Sequence, residues 1–140
     1  MALIPQRAGF FSIVVVRAGE VVTAETALAF CSTSEGEYIA LFQTPTEAMS
    51  WALQVCDEKT TARVGVDTGA VLQVDAPEAS NFLGSPVDWS QALARVASPG
   101  QLLISKEMWT LLIRAGDELG FVASSLGVCR FTGAEQAGEV

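Results

Sequence analysis

Apolar residues fall in short runs whose spacing switches between strand and helix periods, punctuated by Gly, Pro, Ser and Thr. Gly9–Val16 is aromatic and β-branched throughout and predicts a buried strand. Thr26–Ser32 and Tyr38–Phe42 flank Thr33-Ser34-Glu35-Gly36-Glu37 and predict a hairpin. Thr44-Pro45-Thr46-Glu47 carries a capping threonine, a proline at the first helical position and a glutamate to close a capping box. Behind it Ala48, Met49, Ala52, Leu53, Val55 and Cys56 recur at helical spacing, the mark of a core-facing stripe.

Arg63–Val66 and Ala70–Val74 predict a second hairpin, with Asp67-Thr68-Gly69 as its turn and Asp75–Asn81 as an exposed acidic loop. Ser85-Pro86-Val87-Asp88 opens another helix, with Trp89, Ala92, Leu93 and Val96 as its apolar stripe. Ser98-Pro99-Gly100 stops it. A short strand, Leu102–Ile104, leads to a helix that Ser105 caps and that runs to about Gly116. Phe121–Ser124 and Val128–Phe131 predict a terminal hairpin, and residues 133–140 a frayed tail. Strands and helices interleave, so the expected class is α+β, a mixed and mostly antiparallel sheet with helices.

Composition narrows the function classes. The 140 residues match one domain, half of them are apolar and 17% are charged, which describes a packed globule. The formal net charge is −8, and the eight Lys and Arg are spread along the sequence, which argues against nucleic acid or an anionic membrane as partner. Phe10–Val16 is too short to span a bilayer and reads as a strand rather than a signal-peptide core, so no membrane insertion is expected. Cys31, Cys56 and Cys129 are far apart and there is no histidine. A Cys/His zinc site and histidine catalysis are thereby excluded, and buried reduced thiols fit a cytoplasmic location. No cofactor motif is present: neither a P-loop nor a GxGxxG stretch occurs.

Four blocks in a fixed order change the picture. They are the strand Glu37-Tyr-Ile-Ala-Leu-Phe, then Arg63-Val-Gly-Val-Asp-Thr-Gly-Ala-Val, then Phe82-Leu-Gly-Ser-Pro-Val-Asp-Trp-Ser-Gln-Ala-Leu, then Pro99-Gly-Gln-Leu-Leu-Ile-Ser. Together they resemble the catalytic domains of class III adenylate/guanylate cyclases across roughly residues 26 to 115. The resemblance implies a ferredoxin-like cyclase core. It also implies a chemistry in which two aspartates hold two metal ions that activate the 3′-hydroxyl of a nucleoside triphosphate.

The residues that this chemistry needs are replaced. After the first strand, Val16-Arg17-Ala18-Gly19 offers no carboxylate before Glu20. The second metal aspartate corresponds to Gly36, with Glu37 the nearest acid, and the base-reading lysine corresponds to Ser32. Asp88 stands for the ribose-orienting asparagine and Ala92 for the arginine of the transition state. Arg95, three residues on from Ala92, is the one cation near that face. The helical layer that the family carries after its first strand is also missing or reduced, because only Arg17–Glu25 separates that strand from the hairpin. Gly19-Glu20 is then a direct strand-to-strand turn, and the sheet face bearing Phe11, Ile13, Val15, Leu28 and Phe30 needs another cover. That cover is a rearranged part of the chain, a second copy, or a partner.

Trp109 and Ile113 add a candidate contact surface on the last helix. The function expected from these substitutions is a non-catalytic, degenerate cyclase-homology module. It acts as a regulatory or scaffolding adaptor in signalling, with another protein or a homodimer mate as partner and with no cofactor. The alternative is a nucleotide or cyclic-nucleotide sensor without turnover, with Phe82, Asp88 and Arg95 near the ligand. A half-site of a heterodimeric cyclase ranks last, since a second chain would have to supply the metal aspartates.

Overall fold

The structure is a computed structural model that describes residues 4–34, 36–75 and 80–115, with the pairs 128–129 and 138–139. Its strands are β1 (Ile4–Arg17), β2 (Ala29–Ser34), β3 (Glu37–Phe42), β4 (Arg63–Asp75), β5 (Ser80–Leu83) and β6 (Leu102–Ile104). Its helices are α1 (Pro45–Glu58), α2 (Ser85–Val96) and α3 (Lys106–Ala115). The sheet order is β2-β3-β1-β4-β5, with β6 parallel to β4 and every other pair antiparallel. The expected α+β class therefore holds.

Both faces of the sheet are covered. In β1 the consecutive residues Ile13, Val14, Val15 and Val16 are all fully buried, as a strand between two layers requires. On one face Val14, Val16, Ala40, Phe42, Val64 and Val66 pack with α1 (Met49, Ala52, Val55) and α3 (Met108, Leu112). On the other, Phe11, Ile13, Val15, Ile39 and Leu41 pack with Val87 and Ala94 of α2. Helix α1 begins where expected: Thr44 Oγ1 accepts from the Glu47 N–H at 3.2 Å and donates to the Glu47 carboxylate at 2.9 Å.

The connection from β1 to β2 is not the tight turn expected at Gly19-Glu20. Both strands are antiparallel to β3, which lies between them, so they run parallel to each other and a hairpin cannot join them. Residues 18–28 instead run back across the α1 face as an irregular strap. It is fixed by Ala18 N–H to Gly36 O (2.9 Å), Leu28 N–H to Leu41 O (2.8 Å) and the Trp51 indole N–H to Thr23 O (3.1 Å). Val22 sinks into the core beside Trp51 and Val55, doing the work of a helical layer.

Two other expectations fail in β4 and α2. Asp67-Thr68-Gly69 is not a turn: β4 runs straight through it, opposite Ile13, Ser12 and Phe11. Each residue has a partner that only a strand supplies. The Ser105 hydroxyl donates to Asp67 Oδ1 at 2.5 Å, the Thr68 hydroxyl to Phe11 O at 3.1 Å, and Gly69 leaves room for Pro86. The expected loop 75–81 shrinks accordingly, since Asp75 pairs with Ser80. The α2 stripe is rotated: Val87, Ser90, Leu93 and Ala94 are buried, Trp89 is half-buried and Val96 is exposed. Val128–Cys129 pairs with Gly138–Glu139, inside the stretch read as frayed; Phe121–Ser124 lies outside the described residues.

The rotation of α2 has a cause in Gly65. A Cβ there would stand 2.2 Å from Ser90 O and 2.6 Å from Ala94 N, so the helix backbone rests directly on the strand. Gly65→Ala should lower stability by about 1–3 kcal/mol in chemical unfolding. Gly19→Ala, whose Cβ meets nothing within 4 Å, should stay within about 0.5 kcal/mol of the parent. Equal effects of the two would refute the close contact.

Asp67 sets a pH dependence. Burial pushes its carboxyl up from 3.8 to about 6, with Glu107 adding to the rise and the hydrogen bonds from Ser105 and Thr68 opposing it. Between those two values the folded chain holds a proton that the unfolded chain has released, so the contribution of this group is full below about pH 4 and falls as pH rises through 6. Relative to Asp67→Asn, the parent should lose roughly 3 kcal/mol between pH 4 and pH 7 in urea unfolding. A pH-independent difference would sink the assignment.

Candidate functional site

The sheet end where β1 stops gathers charge. Arg17, the last residue of β1, sits opposite Glu37 on β3 and opposite Arg63 on β4. All three lie in the alternation of Ile13, Val15, Ile39 and Gly65, hence on the face that α2 covers. The last turn of α2 delivers Arg95 to the same point. Glu37 Oε2 stands 3.8 Å from Arg17 Nη1 and 3.7 Å from Arg95 Nη2. The Glu37 side chain is 4% exposed, whereas those of Arg17 and Arg95 are 39% and 56% exposed. Burying a carboxylate to that degree is costly, and the two guanidinium groups offset the cost.

The turn beside this corner explains its shape. Gly36 has φ +78, and a Cβ on it would stand 2.9 Å from Ala18 O, so glycine lets the β2–β3 turn close against the start of the strap. The Ser32 hydroxyl donates to the Glu37 carbonyl at 3.3 Å. Ser32, Gly36, Glu37 and Arg95 therefore come together. Asp88 and Ala92 do not join them as acting groups: Asp88 is exposed in the first turn of α2, where its charge suits the helix dipole, and Ala92 is half-buried mid-helix.

Two groups of expected site residues are corrected by the packing. Phe82 is buried, against Val71 and Val87, and is a core residue rather than a pocket wall. Phe11, Ile13 and Val15 are buried as well, because α2 covers them. They share no face with Phe30, which stacks on Tyr38 at 5.8 Å and meets the edge of Trp51 at 6.4 Å on the opposite side. Leu28, Trp109 and Ile113 remain exposed, at 40%, 37% and 59%. Burial pushes the Cys31 and Cys56 thiols up, which disfavours the nucleophilic thiolate.

The corner does not suit a pair of metal ions. One carboxylate faces two guanidinium groups, and among the described residues no group of three or more His, Cys, Asp or Glu is placed to hold a metal. What the arrangement can do is attract and orient an anion. Sequence reasoning saw these arginines as scattered; only the register of β1 with β3 and β4 reveals that they converge.

No protein-family model matches the chain, and no curated protein sequence matches it. Solved structures do. The adenylyl cyclase CyaB of P. aeruginosa is 14% identical, with a TM-score of 0.70 over 95% of this chain and 93% of that one. The guanylate cyclase domain of RhGC from Catenaria anguillulae, solved with GTP, is 12% identical with a TM-score of 0.72 over 95% of each chain. The non-canonical dimeric guanylyl cyclase domain of RhoGC from Blastocladiella emersonii is 12% identical with a TM-score of 0.69, over 96% of this chain and 97% of that one. The chain thus has the fold of the class III adenylyl and guanylyl cyclase catalytic domains.

Proposed function

We propose that this chain is a degenerate member of the class III cyclase family that has given up metal-dependent cyclisation and works by binding another protein. The observation that carries this reading is Glu37 held between Arg17 and Arg95 at the corner where β1 meets the β2–β3 turn. Two-metal chemistry needs carboxylates facing a divalent pair there, and guanidinium groups in their place repel the ions. Ala92 removes the arginine that the resemblance puts in the transition state. Phe82, which the sensor alternative sets near a ligand, packs in the core with Val71 and Val87.

The contact surface is the far end of the sheet rather than the α2 face. Beyond β3, the strands β1, β4 and β5 continue as a three-stranded ribbon, where Ala8 is paired with Leu72 and Leu72 with Leu83. Phe10 lies on the same side as these, by its alternation with Phe11. Phe10 is 64% exposed and Leu83 47%, in a place where single apolar residues join into a patch. A second copy of the chain is the occupant favoured by the likeness to a dimeric cyclase domain.

Purified protein incubated with ATP or GTP and manganese should give no cyclic nucleotide above a no-enzyme blank; sustained product would overturn the non-catalytic reading. In sedimentation, the parent should dimerise and a Phe10→Ser, Leu83→Ser variant should shift to monomer. A parent monomeric at every concentration would remove the second copy as partner.

A further inference from the structure

We propose that the corner formed by Arg17, Arg63 and Arg95 around Glu37 is a binding site for a doubly charged phosphate group, taken up without a metal ion. This goes beyond the protein-binding role above and does not depend on it. Three of the chain's eight basic residues meet at one sheet end, in a molecule of net charge −8. Arg17 and Arg63 are cross-strand partners, and like charges directly opposite each other destabilise a sheet unless an anion lies between them. Glu37 faces Arg17 and Arg95, and Arg63 lies across from Arg17 on β4, so among the described residues of this corner one carboxylate stands with three guanidinium groups, an excess of two positive charges. Among the described residues no carboxylate forms an ion pair with Arg63.

The geometry selects the ligand. Ion pairs of 3.7 and 3.8 Å are coulombic contacts too long for hydrogen bonds, so Glu37 leaves guanidinium N–H groups available to an incoming oxyanion. The three arginines are carried by β1, β4 and α2, and donors from three separate elements can serve the several oxygens of a tetrahedral phosphate, where a planar carboxylate offers two. The charge of a phosphate monoester or of free phosphate matches the excess. A polyanion such as nucleic acid is disfavoured, because the remainder of the molecule is acidic. On the opposite face at this end, Lys59 is already paired with Glu20 at 3.5 Å and adds little.

Calorimetry on the full chain, with EDTA present and at a pH where phosphate is dianionic, tests the site. Inorganic phosphate and ribose 5-phosphate are the probes. Saturable one-to-one binding is expected, and Arg63→Gln and Arg95→Gln should each weaken it about ten-fold. Lys106→Gln, at the start of α3 beyond the other end of β6, should leave it unchanged. Glu37→Gln should tighten it, an outcome that a merely structural glutamate would not produce. Tighter binding of the ester identifies an esterified ligand, and equal binding identifies the free ion. Absence of saturable binding, equal weakening by Lys106→Gln, or binding that requires magnesium or manganese would overturn the proposal. Cyclic nucleotide formation would refute the previous section and leave this one standing.

Discussion

Helix α2 can lie on the sheet at backbone distance because Gly65 has no side chain, and much of the molecule follows from that contact. With the helix this close, Val87 and Ala94 reach the layer of Ile13, Val15, Ile39 and Leu41 and close it to water. Each fully buried aliphatic side chain contributes roughly 1.5–3 kcal/mol, so sealing this face is a large share of what a small domain gains on folding. The same seating puts Pro86 over Gly69 at one end of the helix and Arg95 beside Glu37 at the other. A helix held off by even one methyl group would loosen both ends.

The second constraint is topological. Strands β1 and β2 flank β3, each antiparallel to it and so parallel to one another, and connections of this kind are usually made through a helix. Here residues 18–28 cross without one, and an irregular strap has no internal ladder to satisfy its backbone. It borrows partners from what it crosses: the β2–β3 turn, β3 and the indole of Trp51 each take or give one hydrogen bond. Trp51 is thus both a core side chain and a clamp. The strap keeps the cyclase topology with much less chain than a helical layer needs.

Local chemistry was legible in the sequence; placement across strands was not. The Thr44-Pro45-Thr46-Glu47 cap, the Leu102–Ile104 strand and the Ser105 cap all stand where their residue types put them, because each is decided within a few residues. Asp67-Thr68-Gly69 misled for the opposite reason. Its turn-like composition is overruled by Ser105, Phe11 and Pro86, which are remote in sequence and absent from any local pattern. The four blocks gave the fold, since their order encodes topology. They could not say that α2 turns Trp89 partly outward, nor that Arg17 and Arg63 face each other, because both depend on register.

Register also explains why the corner is internally consistent. A carboxylate buried without counter-charge is costly, and a guanidinium pair without an anion would splay the strand ends. Glu37, Arg17 and Arg95 therefore need one another, and replacing any one alone leaves a charge uncompensated. A carboxylate at position 17 would stand opposite Glu37 across the strands and leave Arg95 to face both. That interdependence ties the end of β1, the start of β3 and the last turn of α2 into one electrostatic unit.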